Sequence, residues 1–386
     1  MSDFISYGKQ WIDQSDIKAV TEVLKSDFLT QGRKIKEFEQ ALCAYTGAKY
    51  CVAVSNGAAA LHLSVLACEI QPGQEGITSP NTFVASANCL VYAGLKPVFA
   101  DIDPVSYNID PEEIKKKITS KTKVIVAVDF AGRPASMREI SKTARSKGIK
   151  IIEDAAHAIG SKYKTGEKVG SCKYSDLTIF SFHPVKTITT GEGGAITTND
   201  KKLYEKLLML RTHGITKDPK KMSKNPGPWF YEMQCLGFNY RLTDLQAALG
   251  ISQLKKLPKF VKRRLEIIRQ YNRAFSNLPL VKIPSEENLA NCAFHLYVLK
   301  IDFKKLGTPR AQAMDCLKQF GVGTQVHYIP VHLQPYYREN YGYKKGDYRV
   351  AEEYYEQCLS LPLYPKMTDA QVNKVCSLLK KVLEKQ

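Results

Sequence analysis

The chain lacks any long hydrophobic run. Nowhere in its 386 residues does an apolar stretch approach the roughly 20 residues a helix needs to cross a bilayer, so no membrane span is expected. Its first residues, Met-Ser-Asp-Phe-Ile-Ser-Tyr, lack the basic stretch and apolar core of a secretory leader, and a cytoplasmic protein is expected. No two of the ten cysteines form a C-x-x-C pair, the commonest zinc and dithiol pattern. Cys51, Cys68 and Cys89 sit inside apolar runs that read as core, so neither a metal site nor a disulfide framework is expected. Pro/Gly/Ser-rich tracts and internal repeats are also missing, which argues against disorder and solenoid architectures. Acidic residues are few, 38 against 56 basic ones, for a net charge of +18. That excess would draw a polyanion, but Lys and Arg are scattered. Clusters such as Lys115-Lys116-Lys117 and Lys380-Lys381 fall in amphipathic helical stretches, where a solvated face explains them. With no helix-turn-helix or basic-aromatic module, nucleic acid is not an expected partner. A small phosphorylated ligand would feel the same field.

What is present fits a folded enzyme: 44% hydrophobic and 24% charged residues, with a length that predicts two domains sharing a cleft. From Tyr50 to Thr198, short β-branched runs alternate with helical stretches, the pattern of a mostly parallel sheet with crossover helices. Expected strands are Tyr50–Val54, Gly76–Ser79, Pro97–Ala100, Val124–Val128, Ile149–Glu153, Leu177–Ser181 and Gly194–Thr197. Helical segments between them include Ala58–Cys68, Thr82–Ala93, Pro111–Ile118 and Met137–Ser146. After Thr243 a long charged helical run, Leu245 to Ser276, leads to segments Tyr297–Ile301 and Gly323–His327 and a C-terminal helix. This predicts an α/β domain over 1–249 and a smaller α+β domain over 250–386, with about the first dozen residues packing on the smaller one.

The sharpest local signal is Ser181-Phe182-His183-Pro184-Val185-Lys186, followed by Thr-Ile-Thr-Thr-Gly-Glu-Gly-Gly. A lysine just past a strand end, beside glycines that permit close approach, is where a Schiff-base amine could be held; a lysine alone is ordinarily a surface residue. Its first partner is Asp154, in Glu153-Asp154-Ala155-Ala156-His157, at the carboxyl end of a buried strand where such sheets bind ligands. Pyridoxal phosphate (PLP) needs an anion of this kind, because a protonated pyridine makes the ring an electron sink; a helix cap is the plain alternative. His157 could cover or hydrogen-bond the ring's phenolic oxygen, and Phe83 could stack on its opposite face, though either could equally be core. Ser55-Asn56-Gly57-Ala58 follows a strand and opens a helix, so its free amides could receive a phosphate. The Ser181 hydroxyl could add to the same site.

Together and in order, these elements resemble the sugar aminotransferases of the DegT/DnrJ/StrS type, whose fold is PLP fold type I. The resemblance spans nearly the whole chain and includes Leu29-Thr30-Gln31-Gly32, Phe38-Glu39 and Gly237-Phe238-Asn239-Tyr240-Arg241. It implies that Lys186 carries the PLP and is the catalytic residue. It further implies that Asp154 pairs with the pyridine nitrogen, Phe83 stacks on the ring, and Ser181 touches the phosphate. Asn239, with Arg241 nearby, would reach the cofactor of a neighbouring subunit in a homodimer with shared active sites. Many relatives carry Thr where this chain has Ala58, so one hydroxyl contact is absent while backbone amides remain. Dehydratases of this fold replace the lysine with histidine; Lys186 is present, which favours transamination.

A finer similarity points to the branch that makes the 4-amino precursor of pseudaminic acid. Its marks are Tyr7, Ser26-Asp27-Phe28-Leu29-Thr30, Val128-Asp129-Phe130-Ala131-Gly132 and Gln325-Val326-His327-Tyr328. In that branch substrate contacts map onto Tyr7, Asp27, Phe28, Leu29, Thr30, Ala58, Ser181, Asn239, Arg241 and Gln325 to Tyr328. The expected reaction moves an amino group from L-glutamate to C4 of a UDP-linked 4-keto-6-deoxy-N-acetyl-hexose. Rivals are another nucleotide-linked keto-sugar, of perosamine or 4-amino-arabinose type, and a non-catalytic PLP-binding homologue.

Overall fold

The structure, a computed structural model, describes residues 4–287 and 289–384. Two helices, α1 (Gln14–Leu24) and α2 (Arg33–Thr46), precede a seven-stranded sheet. Asp13 and Asp16 close a capping box on α1, and Gly47 ends α2 in the left-handed conformation at φ 85°. The sheet strands are β1 (Tyr50–Val54), β2 (Glu75–Thr78), β3 (Lys96–Phe99), β4 (Thr122–Val128), β5 (Lys150–Asp154), β6 (Leu177–Ser181) and β7 (Gly194–Thr198). Their spatial order is β1-β7-β6-β5-β4-β2-β3. All pairings are parallel except those of β7, which lies antiparallel between β1 and β6. A run such as Val124-Ile125-Val126-Ala127-Val128 is buried throughout, as a strand covered on both faces requires.

Crossover helices α3 (Gly57–Ala67), α4 (Ala85–Tyr92), α5 (Pro111–Lys117), α6 (Met137–Arg145) and α7 (Lys201–Arg211) flank the sheet. α4 starts three residues later than the sequence pattern suggests, because Asn81 to Val84 form a turn before it. A short hairpin, β8 (Ile215–Thr216) and β9 (Glu232–Met233), leads to the 32-residue α8 (Asp244–Phe275). Thr243 and Gln246 make a capping box at its start. α8 serves two cores. Leu254, Leu257 and Phe260 pack into the sheet core, whereas Ile267, Ile268, Tyr271 and Phe275 pack into a second one. That second core is built around β10 (Val281–Lys282), β11 (Tyr297–Ile301) and β12 (Cys358–Leu361), a three-stranded antiparallel sheet. Helices α9 (Phe303–Leu306), α10 (Arg310–Gln319) and α13 (Asp369–Glu384) complete it, while α11 (Pro335–Tyr341) and α12 (Arg349–Gln357) pack through Tyr337, Ala351 and Tyr354 into a further cluster with Phe99 and Phe130. Ile5, paired with Val322, belongs to the second core. Gly323 to His327 is extended but carries only one bridge, between Gln325 and Ser360. Among the described residues no helix is long and apolar enough to cross a membrane, and no cluster of His, Cys, Asp or Glu could hold a metal ion.

Candidate active site

The carboxyl ends of β1, β4, β5 and β6 open onto a cavity of about 780 Å³, closed on the far side by residues 325–334. This is where a parallel sheet presents side chains to a ligand. Lys186 lies in the turn after β6, its amide bonded to the His183 carbonyl at 2.9 Å, and its side chain lines the cavity. Burial lowers the Lys186 amine to about 8, against the pull of Asp154 in the other direction. A desolvated amine near neutrality can act both as nucleophile and as proton carrier.

Asp154 closes β5, 4% exposed. Its Oδ2 accepts the Ser86 hydroxyl at 2.6 Å and its Oδ1 the Ala156 amide at 3.2 Å. Since Ser86 spends its hydrogen on Asp154, the Thr82 hydroxyl, 2.8 Å from Ser86 Oγ, donates to Ser86 in turn. Burial raises the Asp154 carboxyl, while these donors and Lys186 oppose the rise. A cationic ring nitrogen would add to the same opposition.

A cradle of backbone amides lies at the start of α3, on the cavity wall. Asn56 caps the helix by accepting the Ala59 amide at 2.8 Å, which leaves the leading amides of Gly57 and Ala58 without intrahelical acceptors. Ser181 is packed beside them: a Cβ on Gly57 would stand 2.9 Å from Ser181 Cβ. Gly194 is closer still, since a Cβ there would lie 2.5 Å from the Asn56 carbonyl oxygen.

Phe83 is 60% exposed and faces the cavity, where a planar ligand could cover it. His157 is buried; its Nδ1 accepts the Ala131 amide at 3.3 Å and its Nε2 lies 3.2 Å from the Tyr328 hydroxyl. Burial holds His157 well below the usual histidine range, with Lys186 and His327 adding to the shift. His327 is lowered to about 3 by burial and by Lys186; its Nδ1 meets Ser360 Oγ at 2.8 Å. Tyr7 packs on His327 at 5.6 Å between rings, and Gln325, Val326 and Tyr328 complete that wall.

The cavity therefore gathers Tyr7, Gly57, Ala58, Phe83, Asp154, His157, Ser181, Lys186 and the 325–328 segment. It does not gather Asp27, Phe28, Leu29, Thr30, Asn239 or Arg241. These six lie outside it: Thr30 bridges Thr243, the Leu29 carbonyl accepts the Asp244 amide at 3.0 Å, Asn239 bridges Thr212, and Arg241 bridges Val54. Phe28 is 62% exposed, and Asn239 is exposed as well. Sequence reasoning passed over Ser86, Thr82 and His295. Ser86 sits one helical turn beyond Phe83, so a polar residue in that singled-out segment was the available signal. His295, whose ring stands 4.4 Å from His157, comes from a loop of the second core and carries no local signal.

A lysine of lowered basicity, a carboxylate fixed by two donors, an exposed aromatic face and a cradle of free amides are the donor set a phosphorylated pyridine aldehyde requires. The DegT/DnrJ/EryC1/StrS aminotransferase family model matches residues 10–380. Relatives include the spore coat polysaccharide biosynthesis protein SpsC of Bacillus subtilis, 42% identical over 99% of this chain and 97% of that one. A second is the UDP-4-amino-4,6-dideoxy-N-acetyl-beta-L-altrosamine transaminase of Campylobacter jejuni, 39% identical over 99% and 98%. Among solved structures, Helicobacter pylori PseC, an aminotransferase involved in pseudaminic acid biosynthesis, superposes with a TM-score of 0.91 at 33% identity over the whole of both chains. The sugar aminotransferase Spr1654 of Streptococcus pneumoniae in its PLP form gives 0.90 at 29%, covering 99% of each chain. The chain belongs to the DegT/DnrJ/EryC1/StrS family and is a PLP-dependent sugar aminotransferase.

Proposed function

We propose that the protein transfers the amino group of L-glutamate to C4 of UDP-2-acetamido-2,6-dideoxy-β-L-arabino-hexos-4-ulose, with Lys186 as its catalytic residue. The observation that carries the reading is the pairing of Lys186, lowered to about 8, with Asp154 in one cavity. Bound PLP supplies an electron sink and stores the amino group between the two half-reactions. Lys186 Nζ holds the cofactor at rest and, once freed, carries the proton to or from the reacting carbon. Asp154 keeps a proton on the pyridine nitrogen, and Ser86 and Thr82 keep Asp154 in place. The Gly57 and Ala58 amides with the Ser181 hydroxyl would hold the phosphate, and Phe83 and His157, which line the same cavity, would contact the ring. In the first half-reaction glutamate loses its nitrogen and a water supplies the keto oxygen of 2-oxoglutarate; in the second the sugar's C4 gains that nitrogen and a proton, and its carbonyl oxygen leaves as water.

Tyr7 and Gln325 to Tyr328 line the substrate's side of the cavity. That lining contains no arginine and Lys186 as its sole lysine, too few cations for a diphosphate and a dicarboxylate donor. A symmetric neighbour presenting Asp27 to Thr30, Asn239 and Arg241 would complete it, and we assign the active unit to a cytoplasmic homodimer. The cavity then lies between domains spanning 1–249 and 250–386.

Support for this sugar comes from the 39% identity to the Campylobacter transaminase, the H. pylori neighbour and the Val128-Asp129-Phe130-Ala131-Gly132 segment. The 42% identity to SpsC favours a second reading, a different nucleotide-linked keto-sugar for a surface polysaccharide. Incubating purified protein with glutamate, PLP and a panel of UDP- and dTDP-linked 4-keto-sugars separates the two. Preferred turnover of the N-acetylated UDP sugar supports the first; preferred turnover of another sugar replaces it.

A further inference from the structure

Asp129 follows β4 and, like Glu153 on the adjacent β5, is wholly buried. In the parallel β4–β5 register Ala127 pairs with Glu153, so Asp129, two residues on, leaves on the same face as Glu153, and each carboxyl acts on the other. Two carboxylates in contact away from water cannot both be ionised, so one proton is retained between them. The surrounding donors decide where it sits. Glu153 accepts the Tyr163 hydroxyl on both oxygens, at 2.8 and 2.7 Å, and the Thr178 hydroxyl at 2.8 Å. Asp129 accepts one amide, from Ala135 to Oδ1 at 2.8 Å, and its Oδ2 meets no donor at all. Glu153 is thus solvated as an anion, and Asp129 Oδ2 is the oxygen left to carry the hydrogen. Burial and the Glu153 charge both hold the Asp129 carboxyl well above the usual carboxylate range.

Asp129 heads the tight turn Phe130–Gly132, in which Ala131 adopts a left-handed φ of 57°. In that conformation the Ala131 carbonyl accepts the His295 amide at 2.9 Å, and its N–H donates to His157 Nδ1 at 3.3 Å. An amide only donates, so Nδ1 is the bare nitrogen, and neutral His157 carries its hydrogen on Nε2. Nε2–H then points at the Tyr328 oxygen 3.2 Å away, which leaves the tyrosine's own hydrogen for the cavity that both rings line.

We propose that Asp129 is a protonated positioning residue: hydrogen-bonded to Glu153, it fixes the turn whose Ala131 amide sets the His157 tautomer and thereby makes Tyr328 a directed hydrogen-bond donor into the cavity. The proposal rests on reading this cavity as the active site, not on which sugar enters it. The ligand atom that Tyr328 serves is an acceptor oxygen, on cofactor or substrate.

Infrared difference spectra of PLP-loaded wild type against Asp129→Asn at neutral pH test the proton directly. Wild type should show one protonated-carboxyl carbonyl band that the variant lacks and that shifts with ¹³C-aspartate labelling. Asn supplies an N–H for Glu153 and an oxygen for Ala135, so Asp129→Asn should keep the glutamate half-reaction within about twofold of wild type. Asp129→Ala and Tyr328→Phe should each slow that half-reaction about tenfold or more, and the double variant should be no slower than the worse single one. No lost band, an Asn variant as impaired as the Ala variant, or losses that multiply would each overturn the proposal. The infrared result needs no sugar substrate, so it fails or stands separately from the functional reading.

Discussion

At the scale of single residues, the proposed chemistry rests on Lys186 and Asp154. Borohydride treatment of PLP-loaded protein should leave the cofactor attached to Lys186 by peptide mapping; an adduct on another lysine would remove Lys186 from its role, and Lys186→Ala should lose turnover altogether. The sign of the pH effect follows from the lowered amine. Below about 8 the ammonium form dominates and the free-amine fraction falls about tenfold per pH unit. Capture of PLP by cofactor-free protein should therefore quicken with rising pH and level off above about 8; a rate still climbing toward the ordinary lysine value of 10.5 would mean that the amine is solvated. Asp154→Asn preserves shape but not charge, so turnover should fall by two or more orders of magnitude, on the order of 3 kcal/mol, with cofactor still bound. Ser86→Ala removes a 2.6 Å charge-assisted donor, which raises the Asp154 carboxyl further, and should cost roughly tenfold. Unchanged steady-state rates in both variants would mean another group protonates the ring.

Among the secondary-structure elements, the sheet was largely legible in sequence because its strands are buried on both faces and read as β-branched runs. Tyr50–Val54, Leu177–Ser181 and Tyr297–Ile301 coincide with the structure, and the other strands of the large sheet shift by one or two residues at their ends. What could not be read was tertiary. The Thr82–Ser86–Asp154 chain joins a loop to a strand 68 residues away, and the Asp129–Glu153 contact depends on two strands being neighbours. A hydroxyl or carboxyl in sequence gives no sign of which backbone will stand beside it. Glycines were more informative: Gly191, Gly193 and Gly194 after the lysine marked close approach, and Gly194 indeed abuts the α3 turn. Gly194→Ala should push a Cβ into the Asn56 carbonyl and displace the amide cradle. Equilibrium dialysis should show PLP affinity weakened at least about tenfold, roughly 1.4 kcal/mol, with the far-ultraviolet circular dichroism unchanged. Wild-type affinity would place the phosphate elsewhere.

For the whole molecule, one helix, α8, packs into both cores, and the net charge of +18 favours anionic ligands at long range. Asp27 to Thr30, Asn239 and Arg241 lie outside the chain's own cavity, which motivates the shared site. Mixing inactive Lys186→Ala with inactive Asn239→Ala subunits should restore activity, because one site of a mixed dimer receives both intact residues; mixed dimers without recovery would put Asn239 in its own subunit's service. The central claim is that nitrogen passes from glutamate to a sugar carbon, and ¹⁵N-labelled L-glutamate follows that atom. After incubation with PLP and UDP-2-acetamido-2,6-dideoxy-β-L-arabino-hexos-4-ulose, nuclear magnetic resonance of the purified product should show ¹⁵N coupled to C4, with one equivalent of 2-oxoglutarate formed. A sugar recovered with its C4 carbonyl intact, from protein that converts glutamate to 2-oxoglutarate when given a different keto acceptor, would contradict it.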